Sequence, residues 1–313
     1  MVIKCYLTSN KGLSDKGVEY VVDCPVNNYV FKSISDLTWL IKQFIRKMNY
    51  NGELEFHSNE NIGTTHMLYK YRICLEDKYI GIRVVSQYNS VIRILFTIPD
   101  RSLIPQVSFE KYDASKDIVK TNYRVRSGRI PPGQYYIPNL IVYSILGGLK
   151  GKDLSNWRIE IRGEVENEFE LNLADLYTLG LKTIKTSFHC VTGWSIDEVE
   201  FTGPLLRNII ERAKPRESVK WIYVECLDNY STIIPIDEAL NDDAVIAIEM
   251  NGKPLEIEHG YPARLVIPQL YGWKSAKWVN RLLFLSEYRD GYWEALGYHP
   301  RGRVEYEERF KKS

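Results

Sequence analysis

Cysteine is scarce in this chain of 313 residues. There are five, Cys5, Cys24, Cys74, Cys190 and Cys226, an odd number, far apart and with no C-x-x-C pair. That pattern excludes a zinc or iron–sulfur site built from four protein ligands and argues against a disulfide framework. Most of the cysteines are expected to be buried thiols in a reducing compartment. Long apolar runs are absent too: none approaches the roughly 18 residues a membrane helix needs, so no membrane span is expected. The opening stretch MVIKCYLTSNKGLSDKG has no basic segment followed by an apolar one and no twin arginine, which leads to the expectation of a cytoplasmic protein. Neither sign of charge is in excess. Lys plus Arg number 41 against 40 Asp plus Glu, a net +1, so no global field draws the chain onto nucleic acid or an anionic membrane. Any anion site must be local. No G-x-G-x-x-G or Walker loop and no internal repeat occurs.

What is present reads as a soluble globular protein of about two domains. In the first hundred residues GVEYVVDC (17–24) reads as a strand. SISDLTWLIKQFIRKMNYNG (33–52) sets Leu37, Leu40, Ile41, Phe44, Ile45 and Met48 on one helical stripe, with Ser35 as the expected N-cap and Asn51-Gly52 as the stop. YKYRICLE (69–76) alternates Tyr69, Tyr71, Ile73 and Leu75 inward against Lys70, Arg72 and Cys74. Two further strands are expected in YIGIRVVS (79–86) and VIRILFTI (91–98). This is a small α+β domain over residues 1–100 with no chemical motif. From Pro99 to Gln134 the chain turns polar and ends in Pro-Pro-Gly, so 101–133 reads as a linker or extended arm. Arg124, Arg126 and Arg129 there fit either an anion contact or a solvated basic face.

Residues 134–313 form a second domain, rich in strands with short helices. WRIEIRGEV (157–165), VKWIYVECLD (219–228), AVIAIEM (244–250), ARLVIP (263–268) and WVNRLLFLSEY (278–288) read as strands, with a turn at Asn251 to Pro254. NLADLYTLG reads as a helix capped by Asn172 and stopped by Gly180, and GPLLRNIIERA as one with Pro204 in its first turn. Strands do not alternate with long helices, so the class is α+β and not a doubly wound parallel sheet.

Three stretches could carry chemistry. The first is SFHCVTGWS (187–195). Cys190 by itself fits a small buried hydrophobe as well as a reactive group. Its neighbour His189 points to the opposite face of an extended chain, so a nucleophilic Cys190 would need His259 or His299 brought near by the fold. The second is EHGYPARLVIPQLYGWKSAKW (258–278). Gly260 and Pro262 allow a close backbone approach, and Arg264, opening an apolar strand, needs an anionic partner. Lys274, Ser275 and Lys277 lie in a segment that reads as too rich in glycine and lysine for core. They suit a phosphate or a polar heterocycle, while a solvated lysine loop with a salt-bridged arginine fits the same residues. The third is GYWEALGYHPRG (291–302).

In this order and spacing the three stretches resemble the sulfite oxidase-like molybdopterin oxidoreductases, nearest the prokaryotic branch of methionine-sulfoxide-reducing catalytic subunits. The resemblance runs over roughly residues 124–310 and takes in RIPPGQ (129–134) and DLSNWRIEIRGEV (153–165). It implies the sulfite oxidase-type fold and a mononuclear molybdenum, or tungsten, held by one pyranopterin dithiolene and one cysteine thiolate. Cys190 stands at the metal-ligand position. A soft thiolate suits a metal already bound to sulfur, and the cofactor brings the sulfurs that the protein lacks. His259 and Arg264 match the pterin- and phosphate-contacting residues, and Lys274, Ser275 and Lys277 match the phosphate loop. His189 is implied to abut the pterin. Asp228 and Thr232, in LDNYSTIIP, match a segment lining the cleft, with Asp228 implied to be catalytic. The expected reaction is two-electron oxygen-atom transfer on a small sulfur- or nitrogen-containing oxide, with a separate electron-transfer partner because no haem motif is present.

Phe201 stands where relatives carry tryptophan, and IPNLIVYSILGG (137–148) lacks a histidine that many have. Val191, Thr192 and Gly193 replace the arginine that sulfite oxidases place soon after the cysteine, so sulfite is not the expected substrate. A cofactor fold without turnover, and a hydrolase using Cys190, are the alternatives.

Overall fold

The structure is a computed structural model that describes residues 5–14, 17–62, 66–88, 90–105, 109, 113–116, 130–131, 133–142, 146, 148–149, 151 and 153–311. Arg124, Arg126 and Arg129 lie outside the described residues. The chain divides into two compact units: Met1–Asp117 with Ala295–Tyr298 and Phe310–Ser313, and Ile118–Glu294 with His299–Arg309.

The first unit has strands β1 (Tyr6–Ser14) and β2 (Gly17–Val30), helix α1 (Ile34–Lys47), and strands β3 (Glu53–Ile62), β4 (His66–Cys74), β5 (Tyr79–Gln87) and β6 (Ser90–Ile98). They form an antiparallel sheet in the order β1-β2-β6-β5-β4-β3. The expected α1 stripe is buried from Leu37 to Met48 and packs with Val22, Tyr71, Ile73, Ile82 and Phe96. The expected boundaries shift. The N-cap is Ser33, not Ser35, because Asp36 stands three residues on and closes a capping box: Asp36 N donates to Ser33 Oγ (3.2 Å) and Ser33 N to Asp36 Oδ2 (3.1 Å). The helix stops at Met48, before the left-handed Asn49 (φ 56°), ahead of Asn51-Gly52.

One pair of cysteines is not among the free thiols: Cys5 and Cys24 are joined, 4.3 Å apart at Cα. The β1–β2 register sets Tyr6 opposite Asp23, which brings the next position on each strand together. A separation of 19 residues hides that pairing in the sequence. Cys74, Cys190 and Cys226 are free.

The second unit begins with β7 (Tyr135–Tyr136), β8 (Ile159–Gly163), β9 (Phe169–Leu171), α2 (Leu173–Thr178), β10 (Leu181–His189), β11 (Trp194–Pro204) and α3 (Leu206–Ala213). It continues with β12 (Trp221–Cys226), β13 (Ser231–Pro235), α4 (Ile236–Ala239), β14 (Val245–Ala247), β15 (Glu249–Met250), β16 (Lys253–Pro254), β17 (Arg264–Val266), β18 (Val279–Leu285) and α5 (Tyr292–Ala295). One sheet runs β10-β11-β15-β16 with β7 parallel on β11; a second runs β13-β12-β18-β8-β9, and β14 pairs β17. This is the mixed α+β class that the pattern implies. Asn172 caps α2 with Asp175, and Asn251-Gly252, both at positive φ, turn β15 into β16. Pro204 does not open α3. It is the last residue of β11, opposite Leu181, and the helix starts at Leu206, whose N–H is held by Ala244 O. No helix among the described residues is long and apolar enough to cross a membrane.

The β10–β11 hairpin positions the site. Its strands read LKTIKTSFH and WSIDEVEFTGP, polar and only weakly alternating, which gives the sequence little to distinguish them from loop.

Candidate active site

Cys190 opens the four-residue connection of that hairpin, directly after β10. Its N–H donates to Trp194 O (2.9 Å), and the N–H of Gly193 donates to its carbonyl (3.1 Å), with Gly193 at φ 111°. Sγ lies 3.2 Å from Thr192 Oγ1. Burial pushes the thiol pKa up, while hydrogen bonds to Thr192 and the charge of Arg309 pull the other way. No histidine lies within hydrogen-bond distance of Sγ among the described residues, so the nucleophile–base pair of a cysteine hydrolase is not formed.

Behind the thiol, Gln134 Nε2 donates to the Cys190 carbonyl (2.9 Å) and Gln134 Oε1 accepts from Ser195 Oγ (3.0 Å). Ser195 Oγ in turn lies 2.7 Å from His189 Nδ1. The serine hydrogen is spent on Gln134, so Nδ1 must be the donor and carry the imidazole proton. Burial holds His189 down at about 4, with Asp197 and Arg309 acting in opposite senses. His189 is therefore a neutral ring with an acceptor at Nε2. Gln134 is the last residue of RIPPGQ. Nothing in its own residue type marks it as a support for the cysteine loop.

Arg264 opens β17 and is almost wholly buried. Nη1 donates to His259 O and Nη2 to Ser275 O, each at 3.1 Å; Nε has no partner, and no carboxylate among the described residues pairs with it. The rings of Phe188 (5.6 Å) and Phe201 (5.4 Å) lie against the guanidinium. Burial alone brings its pKa down to about 10. Phe201, the departure from tryptophan, is thus a wall of this site. Two more basic groups adjoin. Lys277 Nζ donates to Glu258 O (3.0 Å), and burial, then Arg264, brings it down to about 8, against the pull of Asp228 and Glu258. His259 is likewise lowered by burial and by Arg264. Gly260 (φ 113°) lets this cluster close, since a Cβ there would sit 2.9 Å from Arg264 Cβ.

The Lys274 segment departs from expectation. Lys274 is core: its side chain has no exposure, and Nζ donates to Ile233 O (2.6 Å), Glu294 Oε1 (2.5 Å) and Pro300 O (2.6 Å). All three ammonium hydrogens are used. A lysine is tolerated there because Glu294, twenty residues on, neutralises it. Thr232 Oγ1 (2.8 Å) and Trp273 Nε1 (3.1 Å) donate to the same Glu294 oxygen, so Thr232 belongs to this buried hub. Ser275 contributes its carbonyl to Arg264, and its hydroxyl has no partner among the described residues. Asp228 accepts from Tyr230 N (3.1 Å) and acts electrostatically on Lys277.

The fold brings most of these residues together. Gly272 abuts Phe188, where a Cβ would come within 2.5 Å of the ring, and lies beside the His189 carbonyl, so the end of β10 and the 272–275 segment share one wall. Arg264 reaches that wall through Phe188 and Ser275. Thr232 and Lys274 stand behind it as supports. Sequence reasoning missed Gln134, Glu294 and Arg309. Arg309 Nη1 donates to the carbonyl of Val191, beside Cys190.

The chain is similar to several known proteins. The family "Oxidoreductase molybdopterin binding domain" matches residues 147–293. The "Uncharacterized oxidoreductase YuiH" of Bacillus subtilis (strain 168) is 34% identical over 191 residues, 61% of this chain and 96% of that one. The "Protein-methionine-sulfoxide reductase catalytic subunit MsrP" of Campylobacter jejuni subsp. jejuni serotype O:2 is 32% identical over 157 residues, 45% of this chain and about half (52%) of its own length. The sulfane dehydrogenase SoxCD from Paracoccus pantotrophus aligns at 26% identity and TM-score 0.41, covering 45% of this chain and 41% of that one. This chain belongs to the sulfite oxidase-like molybdopterin oxidoreductase family, and it is an enzyme of that family.

The residues present fit a molybdopterin. A buried guanidinium with no acid and an unpartnered Nε suits an anionic group, and the Ser275 hydroxyl, Lys277 and His259 adjoin it. Among the described residues no group of three or more His, Cys, Asp or Glu could hold a metal ion. A single soft cysteine thiolate such as that of Cys190 suits a metal whose remaining sulfur ligands come with the cofactor.

Proposed function

We propose that this enzyme catalyses two-electron oxygen-atom transfer on a small sulfur- or nitrogen-containing oxide and exchanges its electrons with a separate carrier. The reading is supported by one observation: the buried, acid-free guanidinium of Arg264 lies against the ring of Phe188, two residues before Cys190. A molybdenum or tungsten pyranopterin dithiolene, when bound, supplies the two-electron couple and an exchangeable oxygen. Cys190 holds the metal by its thiolate, and Arg264, Lys277, His259 and the Ser275 hydroxyl hold the anionic and polar parts of the pterin. Lys274 acts indirectly: locked to Glu294, it fixes the segment whose Ser275 carbonyl orients Arg264. His189, neutral with its proton on Nδ1, offers Nε2 as an acceptor to a pterin N–H. Asp228, whose charge acts on Lys277, is the proposed proton carrier.

Val191, Thr192 and Gly193 stand where sulfite oxidases place an arginine, so sulfite is not the proposed substrate. That a relative is named a protein-methionine-sulfoxide reductase supports a sulfoxide, and its being named a catalytic subunit supports a separate electron partner. Metal and pterin analysis of the purified protein tests the reading, together with turnover of a panel of sulfoxides and N-oxides driven by a reduced viologen. The expected result is about one molybdenum or tungsten and one pterin per chain, with turnover of at least one panel member. A metal-free protein that is active, and loses that activity on cysteine alkylation, would sink it.

A further inference from the structure

The last stretch of the second unit, His299–Arg309, is fixed with unusual thoroughness. Glu308, fully buried, accepts from Arg301 Nε (2.9 Å) and Nη2 (2.5 Å) and from the N–H of Arg303 (3.0 Å). His299 Nδ1 accepts the N–H groups of Arg301 and Gly302, each at 3.1 Å, so its proton sits on Nε2. The N–H of His299 donates to Arg309 O (3.2 Å), and the N–H of Tyr271 to Gly302 O (2.9 Å). This frame carries Arg309 to the loop after Cys190. The guanidinium of Arg309, 2% exposed, stacks 4.9 Å from the Tyr271 ring and donates through Nη1 to the carbonyl of Val191. Glu307 Oε1, on a side chain 27% exposed, lies 3.7 Å from Arg309 Nη2.

The Val191 carbonyl belongs to a turn that is already closed by Cys190 N–H and Gly193 N–H. Burying a guanidinium against it costs more than a neutral donor would. The cation nevertheless arrives at the residue after Cys190, in a loop whose own residues Val191, Thr192 and Gly193 bring none.

We propose that Arg309 is a positioning residue of the catalytic centre, holding the loop that presents Cys190 and setting a buried positive charge against it. The proposal rests on the reading of Cys190 as metal ligand. A cation at that place stabilises the more reduced, more negative state of a bound metal and so raises its reduction potential. Lysine keeps the charge without the planar fork, and methionine keeps the stem alone.

The test uses the holoenzyme as wild type, Arg309→Met and Arg309→Lys. It measures metal content, the one-electron potential and the paramagnetic metal signal in a redox titration, and kcat and KM. For Arg309→Met the metal is expected to stay, while the potential falls by about tenfold in equilibrium constant, ~59 mV for a one-electron couple. kcat should fall roughly tenfold with KM within about twofold. Arg309→Lys should recover most of the potential while its paramagnetic signal stays shifted. Wild-type potential and signal in metal-loaded Arg309→Met would overturn the proposal. If the methionine variant does not fold, a lysine variant with unaltered signal and kcat would overturn it as well. A wild type without metal would instead defeat the proposed function and leave Arg309 without its role.

Discussion

The Nζ of Lys274 lies 2.5 Å from Oε1 of Glu294, and neither side chain has any exposed surface. This pair makes the wall behind the anion cluster a piece of core. Removing one partner strands a buried charge, at a cost of about 3–5 kcal/mol. Glu294→Ala and Lys274→Met are each expected to lower the stability of the cofactor-free protein by that order in urea titration. A Lys274→Met/Glu294→Leu double variant should cost less than the sum of the single changes. Additive costs, or a Lys274→Met protein of wild-type apo stability that fails only to bind pterin, would make Lys274 a direct phosphate ligand.

Lys277 sits at about 8, brought down by burial and then by Arg264. Its charge in the cofactor-free protein is present below that value and lost above it. Pterin affinity is therefore expected to weaken as pH rises through about 8 in wild type. In Lys277→Arg, whose guanidinium stays charged, that step should vanish while affinity below it is kept. Calorimetric titration at several pH values checks this; an identical step in the arginine variant assigns it elsewhere.

His189 is held down at about 4 from an ordinary value of 6.5. Between those values the unfolded chain binds a proton that the folded ring refuses, so stability falls as pH drops from about 6.5 to about 4. His259, lowered for the same reason, adds in the same direction. His189→Gln should flatten part of that decline, read from urea midpoints across the window. A variant as pH-sensitive as wild type would place the linked proton on another group.

Gln134 binds the Cys190 carbonyl and the Ser195 hydroxyl at once. Supports of this kind behind a metal ligand usually matter by 10–100-fold. Gln134→Leu, close in volume but without the amide, is expected to cut kcat by about that range with its metal content retained. Unchanged kcat would mean that the loop holds its shape without the amide.

The sequence made some of this legible and hid the rest for physical reasons. The α1 stripe, the β4 alternation and the Asn172 cap were readable because periodicity and capping are local. The β10–β11 hairpin was not, since SIDEVE and TIKTS carry no clean alternation, although it presents Cys190. Arg264's need for an anion followed from one guanidinium in an apolar strand and stands in the structure as a cation without an acid. Lys274 reads as loop in the sequence because its neutralising partner lies twenty residues on, beyond any local signal. Arg309 and Gln134 reach the Cys190 loop across 118 and 56 residues, contacts that only the folded chain creates. Cys5 and Cys24 were hidden in the same way by strand pairing.

The most direct measurement counts the sulfur atoms around the metal. X-ray absorption at the metal edge should find two sulfurs from the dithiolene and a further one from Cys190 in wild type. In Cys190→Ala, with metal retained through the Arg264 cluster, the expected result is loss of that further sulfur together with loss of turnover. An unchanged sulfur count, or an active Cys190→Ala enzyme, would mean that Cys190 does not hold the metal.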